Sequence, residues 1–342
     1  MFYVATNGAP WHIRETGDRS VGLDEAPDAR KAIEAAGLNW RVVFGPVFTE
    51  FNGRVVEVPG NRSIIREDTG EPLAVVKTRY SLIQNAEMFE FMDSLVAEGL
   101  RYETAGSLFG GRRVWMLARV PDEVSVGGDT SYPYLLCVSA HDGSSKLTVL
   151  PTLIRVVCNN TLDAAMFVAR SEAEDLVFSV AHVGDVKNKI AKARAVLGLS
   201  LTAFKRAQTV CDMLVDVDGM PIVDSLLKSL FPARKDGKET VDVQRQRERF
   251  VDIFDAEARL VGANGYALLN AITGYADHVR AVERTRGGML STREDKVFMS
   301  TFYEGAHDFK AKGLELVLAM SGIYDKLNDA KIPVRLKYRG KA

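Results

Sequence analysis

The chain has 342 residues, of which 46 % are hydrophobic and 26 % are charged, and its formal net charge is −1. This composition is typical of a soluble globular protein and excludes a disordered chain, a collagen-like repeat and a disulfide-rich scaffold. The near-zero charge excludes a generic polycation that holds nucleic acid through a basic tail, but it leaves open a local basic groove. The length predicts about two domains.

The cysteines and the apolar segments predict a cytoplasmic protein. The chain has three cysteines, Cys137, Cys158 and Cys211, and none of them forms a CxxC pair. Such a sparse, odd set favours reduced thiols over a disulfide framework or a thiolate zinc site. Gly, Pro and charged residues interrupt the N-terminus too early for a signal peptide, and no run of 18 apolar residues predicts a transmembrane helix.

The first half of the chain predicts strands with two helices. Residues 1–39 form a predicted N-terminal arm with one helix over Ala26–Ala36. The spacing of apolar residues predicts a second helix over Asn85–Gly99. Short β-branched and aromatic runs predict antiparallel hairpins, and Asn52-Gly53, Pro59–Asn61 and Asp68–Gly70 provide their turns. Further strands are predicted at Tyr102–Leu108, Arg112–Val120, Tyr134–Ala140, Lys146–Pro151, Leu153–Cys158 and Phe178–His182.

The second half predicts helices only, apart from a basic tail. The predicted helices are Asn160–Ser171, Asp185–Leu197, Leu201–Val215, 222–231, 239–261, Ala263–Arg284 and Lys296–Met320. Strands followed by helices predict an α+β fold: an antiparallel β-sheet with packed helices, followed by a mostly α-helical C-terminal half. The predicted domains are therefore the arm 1–39, a sheet-plus-helix core 40–183 and a helical region 184–342.

Common catalytic motifs are absent from the sequence. It has no P-loop, no GxGxxG, no HExxH and no GxSxG, and no two of its five histidines have the helical spacing of a metal site. We therefore expect no cofactor and no metal, and a protein that is not an enzyme. An unrecognised enzyme centred on His141, Arg155 and Cys158 stays open as an alternative.

Two clusters of polar residues are candidates for binding an anion. In the first, Arg155 interrupts an apolar run, Asn159 and Asn160 follow it, and Lys146 lies on the preceding predicted strand. A helix that begins beside Arg and Asn side chains is a natural anion site. An edge-strand charge followed by a helix cap explains the same residues equally well.

The second cluster combines arginines with an aromatic ring on one predicted strand. Arg113, Trp115 and Arg119 share a strand face, and Arg112 faces the other side. Arginines beside an exposed ring are the composition of a platform for single-stranded nucleic acid, in which cations hold phosphates and rings stack on bases. Basic runs also occur at 187–206 and 331–341, where the alternative is a solvated helix face.

Four blocks of the sequence resemble a known family. They are YSLIQNAEMFEFMDSL, ETAGSLFGGRRVWMLARV, YLLCVSAHDGSSKLTVLPTLIRVVCNNTL and ANGYALLNAITGYADHVRAVER, and together they span roughly residues 40–320. Their order and spacing resemble the phage/plasmid-like protein family, whose members carry a domain of unknown function. The resemblance implies carriage on mobile elements in a bacterial host. The first half is also similar, at the level of the fold, to the core of single-strand annealing proteins, which form rings or filaments and use no nucleotide.

The leading hypothesis is therefore an ATP-independent protein that binds or anneals single-stranded DNA and acts as a homo-oligomer. Its predicted nucleic-acid-binding residues are Arg112, Arg113, Trp115, Arg119, Lys146, Arg155, Asn159 and Asn160. The alternative from a different class is a protein-interaction or host-modulating factor, for which an exposed apolar patch is the expected sign.

Overall fold

The structure is a computed structural model that describes residues 2–4, 21–96, 99–143, 147–155, 178–180, 186–280 and 306–330. The strands in these ranges are β1 (Phe2–Val4), β2 (Val21–Leu23), β3 (Val42–Gly45), β4 (Phe48–Phe51), β5 (Arg54–Glu57), β6 (Asn61–Arg66), β7 (Pro72–Lys77), β8 (Arg101–Leu108), β9 (Arg113–Arg119), β10 (Val124–Val126), β11 (Asp129–Ala140), β12 (Leu147–Arg155) and β13 (Phe178–Val180). The α-helices are α1 (Ala29–Ala35), α2 (Asn85–Val96), α3 (Val186–Val215), α4 (Met220–Leu230), α5 (Val241–Val261), α6 (Gly265–Gly274), α7 (Ala306–Met320) and α8 (Ile323–Asp329). The predicted α+β class is confirmed.

The largest sheet has the strand order β13-β12-β11-β9-β8-β1-β2, with β10 paired to the start of β11. Its central pairs, β8 with β9 and β9 with β11, are antiparallel. In β9 every residue from Val114 to Ala118 is buried, and in β11 every residue from Tyr134 to Ala140 is buried. Since successive side chains of a strand point to opposite faces, both faces of these strands are covered.

Two smaller sheets precede it in the chain. Strands β3, β6 and β7 form a three-stranded antiparallel sheet, and β4 and β5 form a hairpin of their own. The turn of that hairpin is Asn52-Gly53, and both residues have positive φ, at 50° and 72°. Two positive φ angles are what a type I′ turn requires, and Asn-Gly meets that requirement at low cost. The predicted hairpin and its turn are confirmed.

Two predicted boundaries were wrong. The sequence predicted separate strands on the two sides of Pro151, whereas β12 runs through it, because the φ of about −65° that proline imposes is tolerated in extended backbone. The sequence also predicted a break between two helices at Leu199-Ser200, whereas α3 is continuous there. Serine lowers helix propensity only slightly, and Ser200 is buried, so packing outweighs the local preference.

The packing divides the chain into two compact units. The first comprises residues 1–121, 134–150 and 175–199, and the second comprises 122–133, 151–174 and 200–342. The predicted boundaries at 39/40 and 183/184 stay predictions. Within the ranges described, no helix combines the length and the apolar character that crossing a membrane requires.

The second unit has an aromatic core with a buried ion pair. Phe231, Phe250, Tyr275 and Phe309 pack with ring centroids 5.0–6.1 Å apart. Immediately after α6 the backbone forms a short π-helix, Tyr275–Arg280, which includes Asp277. The carboxylate of Asp277 lies 2.6 Å from the ammonium of Lys310 on α7, and each side chain is 1 % exposed. The pair therefore joins the π-helix to α7 inside the core.

We predict that Lys310→Met lowers the free energy of unfolding by about 3–5 kcal/mol, because it removes the ammonium group that faces the buried carboxylate of Asp277. The double variant Lys310→Met/Asp277→Leu should recover part of this loss, since it removes both charges. Denaturant titration of the full chain measures the change, and Lys326→Met, at an exposed lysine of α8, is the control. Equal losses for Lys310→Met and Lys326→Met would contradict the structural role of the pair.

Candidate nucleic-acid interface

The arginines predicted on β9 lie at opposite ends of the strand. Arg113 begins β9 and Arg119 ends it. Six residues of strand separate them by roughly 20 Å at about 3.3 Å per residue. The Nε of Arg113 lies 4.0 Å from a carboxylate oxygen of Asp142, and its guanidinium lies 5.9 Å from the ring centroid of Phe109. The structure therefore does not bring these two arginines together into one groove.

Trp115 lies between the two arginines in the middle of β9, and it is fully buried. The stacking role predicted for it requires an exposed ring, so that part of the prediction is corrected. The reason is that the sheet is covered on both faces at this point, and a large aromatic side chain is then part of the core. The shared face of Arg113, Trp115 and Arg119 is a packed face and not a platform.

The remaining predicted residues are only partly described. Arg112 is half-buried and directly precedes β9. Arg155 is the last residue of β12, and its side chain lies outside the description. Lys146, Asn159 and Asn160 lie outside the described residues altogether, as does Cys158 from the enzyme alternative. Their grouping around an anion stays a prediction.

Arg119 lines a cleft of about 710 Å³ in the first unit. It lies directly opposite Arg101 on β8, so two cations meet at one end of the β8–β9 pair. The carboxylates of Asp24, Glu25 and Glu103 line the same cleft. Because three potential negative charges offset two positive ones, the cleft does not favour a polyanion.

A bulge in β8 directs Glu103 into this cleft. The pairing of β8 with β9 shifts register between Tyr102 and Thr104, which leaves Glu103 as the extra residue. The side chain of Glu103 is buried, and the hydroxyl of Tyr134 donates a hydrogen bond to it over 3.3 Å. A bulge that redirects a side chain is a common feature of binding sites, but here it adds an acid.

His141, from the enzyme alternative, is a buried structural residue. Its Nε2 lies 2.8 Å from Oδ1 of Asn85. The Nδ2 of Asn85 donates to the carbonyl oxygens of Leu38 at 3.0 Å and Trp40 at 3.3 Å, so Oδ1 must be the acceptor and His141 the donor. Burial lowers the pKa of His141 to about 4, although Asp142 opposes the shift. The imidazole is thus neutral and held in place.

Cys137 in the first unit is buried as well. Burial raises the pKa of the Cys137 thiol far above its usual range, so this cysteine is not nucleophilic. Within the described ranges no three His, Cys, Asp or Glu side chains come together in a way that could hold a metal ion.

Two arginines of β6 are stacked on aromatic rings. The guanidinium of Arg66 lies 4.4 Å from the ring centroid of Trp40, and that of Arg62 lies 5.1 Å from the ring centroid of Phe44. Ile64 lies opposite Phe44 in the pairing of β6 with β3. Arg62, two positions before Ile64, is therefore the diagonal neighbour of Phe44 on the same face of the sheet. Each contact is a cation–π interaction of the kind that holds a guanidinium flat on a ring.

The two stacked arginines differ in their charge partners. Nε and Nη2 of Arg66 donate to the two carboxylate oxygens of Asp68 at 2.8 and 2.9 Å, and this hydrogen bonding lowers the pKa of Asp68. Arg62 is exposed, and within the described part of the chain no carboxylate lies within ion-pair distance of it. Arg62 therefore presents an accessible positive charge beside an aromatic ring.

The β4–β5 hairpin extends from β3 and β6 and carries more exposed rings. Every residue of β4 and β5 is exposed, and Phe48 and Phe51 are 57 % and 72 % exposed. Arg54 lies directly opposite Phe51 in the pairing. We call residues 42–66, which comprise β3, the hairpin and β6, the aromatic ribbon. It combines cations and rings in the way that the sequence analysis expected of β9.

The β-branched and aromatic runs and the turns of this segment predicted its hairpins, but the exposure of its aromatic side chains was not predicted. A signal was present in the spacing of its apolar residues. Phe48 and Phe51 are three positions apart, and Val55 and Val56 are adjacent, so each pair falls on opposite faces of a strand. A strand with one buried face shows strict alternation instead. Apolar residues on both faces of a short hairpin therefore indicate an exposed ribbon.

Comparison with known proteins assigns the chain to a family without assigning an activity. A family model described as a domain of unknown function, DUF932, matches residues 72–301, more than half of the chain. The chain belongs to this family. No curated protein and no solved structure gives a significant match. The match begins at residue 72, after the end of β6, so the aromatic ribbon lies before the matched range.

We predict that the buried His141 makes the first unit sensitive to acid. Its pKa is about 4 when folded and about 6.5 when unfolded, so the unfolded state takes up the proton first as the pH falls. The stability that depends on neutral His141 is complete above pH 6.5 and is lost as the pH falls towards 4. Between pH 7 and pH 5 the loss should be about 2 kcal/mol.

The measurement is denaturant unfolding at the two pH values for the native chain and for His141→Gln, whose amide can still donate to Asn85. The variant should lose less stability than the native chain over this interval, because glutamine does not titrate. The same loss in both proteins would show that His141 is not the group responsible.

Proposed function

We propose that this protein is a non-enzymatic binder of single-stranded nucleic acid that acts in ATP-independent strand annealing. We further propose that it works as a homo-oligomer in the cytoplasm of a bacterium that carries the phage or plasmid encoding it. The observation that supports this proposal is the exposed guanidinium of Arg62 over the ring of Phe44, with no carboxylate in reach within the described residues. Proteins that hold single strands combine cations for phosphates with rings for bases.

The surroundings of Arg62 supply further cations. Lys77 on the neighbouring strand β7 pairs with Asn61, the residue before Arg62, and donates a hydrogen bond to its side-chain oxygen over 3.1 Å, and Arg79, two positions after Lys77, is exposed. Neither of these cations has a carboxylate partner in the described part of the chain. Cations that are already neutralised by acids gain little from a phosphate, whereas these keep their full charge available. The near-neutral total charge is compatible with such a limited patch.

A second candidate function is a protein-interaction role without nucleic-acid affinity. The exposed apolar side chains of the hairpin favour it, since contiguous exposed apolar surface marks contact sites. Nuclease treatment of a host lysate distinguishes the two candidate functions. A partner protein that stays bound to the chain after nuclease treatment of a host lysate favours the second, provided that single-stranded oligonucleotides do not bind at low ionic strength.

We predict that Arg62→Ala weakens binding of a single-stranded oligonucleotide by about tenfold at low ionic strength, because one phosphate contact and its counterion release are lost. The slope of log affinity against log salt should fall by about 0.7, the contribution of one phosphate on a single strand. Arg62→Lys should lie between the native chain and Arg62→Ala, since it keeps the charge without the planar stack. Fluorescence anisotropy with a labelled oligonucleotide gives both quantities.

The matched control is Arg30→Ala. Arg30 is an exposed arginine of α1 that is already paired with Glu34, with Nε 3.4 Å from the carboxylate. Its loss should leave affinity and salt slope unchanged. If Arg62→Ala and Arg30→Ala behave alike, or if the native chain shows no salt-dependent binding, the proposal fails.

A further inference from the structure

The β4–β5 hairpin exposes apolar side chains on both of its faces. Phe48, Phe51, Val55 and Val56 are 57 %, 72 %, 69 % and 54 % exposed, and no residue of either strand is buried. A two-stranded hairpin without cover is only marginally stable in water. Exposed apolar groups of this size on a short, separate hairpin indicate that a partner covers it.

The two faces of the hairpin carry opposite charge. The register pairs Phe48 with Glu57, Thr49 with Val56, Glu50 with Val55 and Phe51 with Arg54. Because side chains alternate along each strand, the residues divide into two sets. The acidic face has Phe48, Glu50, Val55 and Glu57. The basic face has Thr49, Phe51, Arg54 and Val56.

The acidic face of one copy is therefore complementary in charge to the basic face of a second copy. The acidic face offers one phenyl ring, one valine and two carboxylates, and the basic face offers one phenyl ring, one valine and one guanidinium. Stacking an acidic face on a basic face covers all four apolar side chains of the contact and brings Arg54 of one copy to the two glutamates of the next. Stacking two acidic faces on each other would instead bring four carboxylates together, which like-charge repulsion opposes.

We infer that the hairpin is a head-to-tail self-assembly element, in which the acidic face of one copy binds the basic face of the next. Since the two complementary faces lie on opposite sides of the same hairpin, the contact is heterologous. Such a contact continues from copy to copy and produces a closed ring or an open filament. This inference gives a physical basis to the homo-oligomer part of the proposed function, and it stands without the nucleic-acid part.

The test reverses the charges and measures the mass of the full-length protein in solution without nucleic acid. Sedimentation velocity of the native chain should show assemblies larger than a dimer that grow with protein concentration. Arg54→Glu makes both faces acidic, and Glu50→Lys/Glu57→Lys makes both faces basic. Each variant alone should lower the apparent association constant by about tenfold or more, because like charges then meet at every contact.

Mixing the two variants gives the decisive result. An acidic variant and a basic variant should co-assemble to the mass of the native protein, and the triple variant Arg54→Glu/Glu50→Lys/Glu57→Lys should assemble by itself, because each restores opposite charges at the contact. Arg30→Glu, at the exposed ion pair of α1, is the control and should leave assembly unchanged. Circular dichroism should show that all variants keep the native fold, since the changed side chains are exposed.

The inference is overturned if the native chain stays monomeric at its highest soluble concentration. It is also overturned if the native protein stops at a dimer, or if charge reversal changes the mass no more than the control does. Binding of an oligonucleotide too short to span two copies is measured separately on the same variants. Loss of assembly with that binding intact contradicts neither proposal, whereas absence of binding by assembled native protein contradicts only the nucleic-acid proposal.

Discussion

The constraint on which the first unit depends is the burial of β9 and β11 on both faces. A strand that is covered on both sides must be apolar in its interior, and Val114–Ala118 meets that requirement. Charged side chains are then confined to the ends, which is why Arg113 and Arg119 are about 20 Å apart. The same constraint makes Trp115 a core residue. Cations and exposed rings occur together instead in the aromatic ribbon, which precedes this sheet in the chain.

Two arginines of β6 are each stacked on an aromatic ring, but only one of them is paired with an acid among the described residues. Arg62 and Arg66 lie on the same face of β6, and each rests on a ring contributed by the preceding segment. Asp68 fixes Arg66 with two hydrogen bonds and so neutralises it within the fold. Arg62 is stacked in the same way, no carboxylate among the described residues lies within ion-pair distance of it, and stacking limits the rotamers that it can adopt. A guanidinium that is already ordered loses less entropy when it meets a phosphate, which favours binding.

How much the sequence predicts depends on whether a signal is local. Asn52-Gly53 fixes a type I′ turn through two backbone angles, and Asn85 begins an amphipathic helix, so both elements were predicted correctly. Exposure is not local. Trp115 in RRVWMLARV has the same sequence context whether its ring faces solvent or core, and only the packing against the two faces of β9 decides which it does. The arginines near Trp115 in the sequence therefore suggested an exposed ring where the structure has a buried one.

The buried polar contacts are also not predictable from local sequence. His141 lies in the turn that follows β11, and its hydrogen-bond partner Asn85 lies 56 positions earlier in the chain. Lys310 and Asp277 form an ion pair that no spacing rule predicts, because a lysine on one helix and an aspartate on a π-helix meet only after the core has formed. The exposed hairpin of the aromatic ribbon differs from these long-range contacts, since apolar residues on both faces of its strands are visible in the sequence.

The most direct test of the central claim is to map where a single strand touches the protein. Ultraviolet cross-linking of the full chain to an oligothymidine at low ionic strength, followed by mass spectrometry of the peptides, reports the aromatic residues in contact with bases. We predict adducts within the aromatic ribbon at Phe44, the ring beside the guanidinium of Arg62. Adducts confined to residues 113–160, or no adducts under conditions where the strand is bound, would contradict it.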